Sequence, residues 1–382
     1  MEVPERSILL VAGRLGIHDE GWSVGPFIDR LQRLGYSTQM VCVEATGDAA
    51  HNPRVVECPG LAHRWRLPLA VRSLRFGERL NRPNLVHVLS RAMSEAGLAI
   101  AEHWGVPYVQ TVDEFVPPGG TLRLSRKWCR RLIATSRELA DDLSEKLAIP
   151  ADLVSMVNPG IEAPEEDPVR PPRGKVAVIG TAGPLVMASG FATFLNAARR
   201  ILDAGLDAEF VIAGQGEDEV DLRRRAARLK IADRVTFAGI PQAGLRFWNV
   251  LDVFCQPTLI PSVGRTLATA LAFGVPSVAS DIEGLRALIV QDENGLRVAP
   301  GDSAALSGRV LELLADPDRA QRLGREGRRM ILRDYRPDDE AQRLALAYQE
   351  AMDESFASFD ANRSGETAGL GGRRASRVRA GS

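Results

Sequence analysis

Short apolar runs alternate with amphipathic helical stretches twice along this chain, and the alternation breaks once, at a proline-rich segment. The run SILLVAG (7–13) is apolar throughout and closes on glycine, the pattern of a parallel strand covered on both faces. In GPFIDRLQRLGY (25–36), Phe27, Ile28, Leu31 and Leu34 recur at helical spacing and Gly35 closes the stripe. Further strands are predicted at 37–43, 84–89, 107–112, 131–136 and 153–158, with the helices MSEAGLAIAEHWG and SRELADDLSEKLA among them. The segment 160–175 has Pro164, Pro168, Pro171 and Pro172 and no apolar period, so it reads as a linker. The alternation then restarts: strands at 176–180, 208–214, 234–239 and 252–257, helices over 190–204 and 217–230. PTLIPSVGRTLATALAFGVPSVAS (257–280) adds a loop, a helix over 264–273, a stop at Gly274 and a strand over 275–279. Three more helices follow: SAALSGRVLELLAD, DRAQRLGREGRRMILRDY and DDEAQRLALAYQEAMDES. Strand–helix alternation of this kind predicts an α/β chain of two doubly wound parallel-sheet domains.

The length agrees: 382 residues suit two domains at about 100–200 residues each. Net charge is −1, which gives the whole chain no argument for binding nucleic acid. Four cysteines, at 42, 58, 129 and 255, have no metal-ligand spacing and suit a reduced, cytoplasmic protein. MEVPERSILLVAG opens with acids and does not read as a signal peptide; no apolar run approaches the roughly 18 residues of a membrane span. Lysine occurs only at 127, 146, 175 and 230, so arginine carries nearly all the positive charge and no single arginine stands out by type. From 358 on the chain is rich in Gly, Ser and Arg, and disorder is expected there.

Several phrases in order resemble the retaining, nucleotide-sugar-dependent family 4 glycosyltransferases of GT-B fold. They are PNLVHVLSRAMSEAGLAIAEHWGVPYVQTVDEF, RLIATSRELADDL, VSMVNPGIE, AEFVIAGQGEDEVDLRRRAARLKIADRVTFAGIPQ, FGVPSVASDIEGL and ENGLRVAPGDSAAL. The likeness runs from about residue 80 to 335. It implies two Rossmann-like domains facing across a cleft: an acceptor-side domain (1–162), a linker (163–174) and a donor-nucleotide-side domain (175–335). A C-terminal helix (336–357) would return to the first domain, ahead of the 358–382 tail. It also implies a nucleotide-diphosphate sugar as co-substrate, no separate cofactor and no metal.

In that family an Arg and a Lys five residues later stabilise the leaving diphosphate; here those positions in GPLVMASG (183–190) fall on Pro184 and Ser189. Two Glu of the family, eight positions apart, fall on Pro261 and Thr269, and a common His falls on Asp113. The donor-site motif is therefore degenerate. The backbone at Gly183, Gly214, Gly216 and Gly264 can still offer N–H groups to an anion, with Ser189 and Thr269 beside them. Arg265 can supply replacement charge or stand as a solvated helix residue. Asp113 and Glu114 can act on an acceptor hydroxyl, or simply cap backbone N–H groups at a strand end.

Three readings follow. The first is a hexosyltransferase acting on a glycan or lipid-linked acceptor. The second is a catalytically inactive homologue that serves as a binding or scaffold partner. The third is a sugar-nucleotide epimerase, resting on the Asp113–Glu114 pair alone. Separately, 61–82 carries six Arg and one Glu among Trp65, Leu67, Leu69, Leu74 and Phe76, and 123–131 adds five basic residues and Trp128. Such stretches suit peripheral contact with an anionic membrane at its inner face; a solvated basic face over buried tryptophans suits them as well. His87, on a buried strand, reads as a core histidine.

Overall fold

The structure, a computed structural model, describes residues 6–15, 24–76, 80–117, 121–165, 176–239, 244–353 and 376–379. The described residues form two compact units, one of the chain up to Asn158 and from Pro337 on, the other of Pro159–Arg336.

In chain order the first unit contains β1 (Arg6–Leu15), α1 (Val24–Arg33), β2 (Tyr36–Ala45), β3 (Val55–Glu57), α2 (Leu67–Phe76), β4 (Leu85–Val88), α3 (Ser94–Trp104), β5 (Tyr108–Val112), β6 (Thr121–Leu124), β7 (Cys129–Ala134), α4 (Arg137–Glu145) and β8 (Val154–Met156). Seven strands make a parallel sheet in the order β3-β2-β1-β4-β5-β7-β8. Its central strands are apolar on both sides, with Ile8, Leu9, Leu10 and Val11 all essentially inaccessible, because helices cover both faces. Local signals set the helix ends. Ser136 Oγ accepts the Leu139 N–H at 3.2 Å to start α4, and Gly105, at φ 66°, takes the left-handed turn that ends α3.

The second unit contains β9 (Ala177–Ala182), α5 (Phe191–Asp203), β10 (Ala208–Ala213), α6 (Glu219–Arg228), β11 (Val235–Gly239), α7 (Gly244–Val250), β12 (Val253–Gln256), α8 (Arg265–Ala272), β13 (Ser277–Ser280), α9 (Leu285–Leu288), β14 (Leu296–Val298), α10 (Ser303–Ala315) and α11 (Pro317–Asp334). Its sheet is also parallel, ordered β11-β10-β9-β12-β13-β14. One face packs Ile179, Ile212 and Cys255 against Phe191, Phe194 and Leu195 of α5 and Leu306 and Val310 of α10. The other packs Ala182, Phe254 and Ala279 against Trp248 of α7, Leu267 and Leu271 of α8 and Ile331 of α11.

The chain returns to the first unit in α12 (Pro337–Met352). Tyr348 of α12 is fully buried, and its hydroxyl lies 2.6 Å from His87 Nδ1; the other ring nitrogen lies 2.8 Å from Thr111 Oγ1. Burial lowers the His87 pKa to about 3, so the ring is neutral, and either tautomer satisfies both contacts. His87 is thus the hydrogen-bonded core histidine its strand suggested. The Tyr36 hydroxyl donates to the Ala345 carbonyl at 2.9 Å, and Arg131, nearly buried, pairs with Glu350 at 2.9 Å.

Two expectations change. The tail was expected to be disordered from 358 to 382, but its residues 376–379 form β15 (Ser376–Arg379), antiparallel to β6. β6 lies outside the large sheet and has an open edge, and an extended segment can add a strand to such an edge. Residues 354–375 and 380–382 lie outside the described residues, as do 166–175 of the expected linker. The exposed Trp65 also corrects the reading of buried tryptophans; its side chain stands 73% exposed.

Candidate functional site

In a doubly wound sheet, ligands bind beyond the carboxyl ends of the strands, where the strand order reverses. In the second unit that reversal lies between β9 and β12. Three loops meet there: 183–190 after β9, 214–218 after β10 and 257–264 after β12. Their backbones touch, and glycine is the reason they can. A Cβ on Gly214 would lie 1.9 Å from the Gly183 carbonyl oxygen, and one on Gly216 would lie 2.3 Å from that of Leu185. A Cβ on Gly190 would lie 1.9 Å from the Pro257 oxygen, and Gly190 has φ 74° besides. Hydrogen bonds fasten the loops together: Leu185 N–H to Gln215 O at 2.9 Å, Asp218 N–H to Leu185 O at 3.0 Å and Leu259 N–H to Ala188 O at 2.9 Å.

Two helices start at this surface, α5 after Gly190 and α8 after Gly264, and neither has a side-chain cap. Their first-turn N–H groups have no partner within the helix and carry the positive end of the helix dipole. Gly264 itself sits at φ 69° and its N–H donates to Ser262 Oγ at 3.3 Å. Arg265 opens α8 half-buried, and its Nη1 is shielded from solvent with no acceptor among the described residues.

The structure therefore gathers Gly183, Ser189, Gly214, Gly216, Gly264 and Arg265 at one end of this sheet, but the Gly183 and Gly214 N–H groups, expected to be open to an anion, donate to Ala213 O at 3.0 Å and Gly239 O at 2.7 Å. Thr269 is one turn further into α8, 2% exposed, with its Oγ1 donating to Arg265 O at 3.1 Å. Ser189 Oγ donates to the Pro184 carbonyl at 2.7 Å. Around the loops Met187 is 82% exposed and Ile260 53%, so the rim is partly apolar.

Asp113 and Glu114 belong to the first unit, just after β5. Asp113 Oδ1 accepts the Arg91 N–H at 3.2 Å, and Glu114 pairs with the Arg91 guanidinium at 3.3 Å. The Asp113 contact is the backbone cap that its strand-end position suggested. Among the described residues, no group of three or more His, Cys, Asp or Glu is placed to hold a metal.

Three residues were missed from sequence. Thr181, next to last in β9, and Gln256 and Ser280, which end β12 and β13, each have a buried oxygen without a hydrogen-bond partner among the described residues. Their signal was a polar side chain near the end of an otherwise apolar strand. Buried polar atoms are usually satisfied, so three exceptions at the carboxyl ends of adjacent strands mark this end of the sheet.

Two Rossmann-like units, each a parallel sheet with helices on both faces, are the GT-B architecture. A solved structure of Anabaena Alr3699/HepE in complex with UDP and glucose has the same fold, with TM-score 0.71 at 13% identity, covering 88% of this chain and 99% of that one. The model for Glycosyltransferase Family 4 matches residues 23–163, and that for Glycosyl transferases group 1 matches 176–316. The chain belongs to the family 4 glycosyltransferases. Glycogen synthase of Mycobacterium tuberculosis is 26% identical over 296 residues, 71% of this chain and 72% of its own. D-inositol 3-phosphate glycosyltransferase of Xylanimonas cellulosilytica is 26% identical over 304 residues, 70% of this chain and 72% of its own.

Proposed function

We propose that this chain is a retaining hexosyltransferase that takes a nucleotide-diphosphate sugar and transfers the sugar to a glycan or lipid-linked acceptor, with its donor site recast. The observation that carries the reading is Arg265 Nη1, buried without an acceptor among the described residues, at the start of α8 beside the glycine loops. A leaving diphosphate gains negative charge as the sugar departs, and that charge must be met by fixed donors. Where relatives in this family use an Arg and a Lys, this chain has Pro184 and Ser189. Open N–H groups at the starts of α5 and α8, joined by the Arg265 guanidinium, are the donors left to do it. In this reading Asp113 and Glu114 are the acceptor-side groups. The nucleotide sugar is the co-substrate, as UDP and glucose are ligands of the Anabaena protein.

One observation favours a second reading, an inactive homologue that binds a partner. Ser189 and Thr269 both spend their hydroxyls on backbone carbonyls, so they do not replace the charges of the family pattern. One experiment separates the readings. A panel of nucleotide sugars is screened by thermal shift, then the best ligand is tested for nucleotide release with glycan and lipid-linked acceptors. A nucleotide-dependent shift with acceptor-stimulated release supports the transferase; a shift without release supports the inactive homologue. No shift with any nucleotide would sink the donor-site reading.

A further inference from the structure

Two basic stretches far apart in the sequence meet in the first unit through one acid. Glu95, at the start of α3, pairs with Arg64 at 3.6 Å through one carboxylate oxygen and with Arg123 of β6 through the other. Arg64 leads into α2, whose two sides differ sharply. Leu67, Ala70, Val71 and Leu74 are buried, while Pro68, Leu69, Arg72 and Ser73 face outward. Leu69 is 73% exposed and so is Trp65, one helical turn before it. The Arg66 guanidinium lies 4.3 Å from the Trp65 ring centroid, so the charge stays beside the indole.

The buried side of α2 already fixes the helix to the unit. Trp65 and Leu69 stand mostly in water, on the same short stretch as the exposed Arg64, Arg66 and Arg72. We propose that this face docks on an anionic lipid bilayer, with Trp65 and Leu69 entering the headgroup region and the arginines on lipid phosphates. An indole with an adjacent cation suits that boundary, where one end is apolar and the other wet. Charge complementarity selects anionic lipid, since each basic residue near such a surface is worth about fivefold in binding. A single-stranded nucleic acid would suit the arginines and stack a base on Trp65, but it gains nothing from an aliphatic Leu69. No helix among the described residues is long and apolar enough to cross a membrane, so the contact is peripheral. The proposal is independent of the donor-site reading.

The test is co-sedimentation of the full chain with phosphatidylcholine vesicles, with and without phosphatidylglycerol. Binding to the anionic vesicles that weakens in high salt is expected, with little binding to the neutral ones. Trp65→Ser with Leu69→Ser should weaken binding roughly tenfold to a hundredfold, the value of burying one or two such side chains, with an unchanged melting curve. Arg66→Ala and Arg72→Ala should each weaken it about fivefold. Lipids brominated near the headgroup should quench tryptophan fluorescence in the parent, and much less in Trp65→Phe, which still binds. The proposal is overturned by equal binding to neutral vesicles, or by full binding of the double serine variant. Undiminished quenching in Trp65→Phe, or binding to polyuridylate but not to vesicles, overturns it too.

Discussion

Arg265 and Gly190 show how single residues set the donor end of the second unit. A guanidinium nitrogen out of water and without an acceptor among the described residues loses the hydrogen bonds that water would give it, so a bound anion is the partner that would restore them. Arg265→Ala should then weaken binding of the best nucleotide by about 1–3 kcal/mol, the range for a hydrogen bond to a charged group. Calorimetry on parent and variant reads this directly, and equal affinities would reduce Arg265 to a packing residue. Gly190 acts through shape alone. Its φ of 74° and the Pro257 oxygen, 1.9 Å from where a Cβ would stand, exclude any side chain. Gly190→Ala should destabilise the chain by about 2 kcal/mol or more, because backbone strain and a clash with backbone add. Urea unfolding checks it; a midpoint within error of the parent would mean that the loops part easily.

At the scale of elements, α12 is held by one buried contact that responds to pH. Its Tyr348 hydroxyl is the partner of His87 Nδ1, and Tyr348→Phe leaves that nitrogen without one. The expected cost is about 1–3 kcal/mol, with faster hydrogen exchange along 337–352; unchanged exchange there would show that the Arg131–Glu350 and Tyr36–Ala345 contacts suffice. The sign of the pH effect follows from burial. The ring binds its proton at about pH 3 when folded, against 6.5 when free. The unfolded chain therefore takes up the proton first as pH falls. The His87 contribution is complete above pH 6.5 and is lost towards pH 3, by up to about 1.4 kcal/mol per pH unit. Between pH 7 and pH 5 the parent should lose about 2 kcal/mol more than His87→Gln. Equal losses in urea titrations would mean that the ring reaches water. The sequence marked His87 as a core residue because its neighbours form an apolar strand. It did not mark Tyr348 as the partner, because a contact across 261 positions has no local signal.

For the whole molecule, the two-unit α/β order was legible because buried parallel strands are apolar runs and their helices close on glycine. β3, with three residues, and β6, with four, were too short to show a period, and α2 was hidden within an arginine-rich stretch. At the donor end the glycines were legible, since close backbone approach leaves no other residue type. The shielding of Arg265 was not, because it depends on how loops distant in sequence fold over it. Two hydrophobic cores also imply that a ligand held by one unit acts on that unit first. Trp248 is 2% exposed in the second unit and packs against Phe247, Phe254 and Phe273, so it reports that core. In a chain with every other tryptophan replaced by phenylalanine, nucleotide at 100 times its Kd should stabilise by roughly 2.7 kcal/mol. For a unit of this size that raises the Trp248 transition by about 5–10 °C. A second chain with Trp248→Phe and the rest intact reports mainly the first unit through Trp104 and Trp128, and its transition should move less. Equal shifts in the two chains would mean that the units melt as one body. A Trp248 transition that stays in place while the other moves would put the nucleotide on the first unit and end the donor-site assignment.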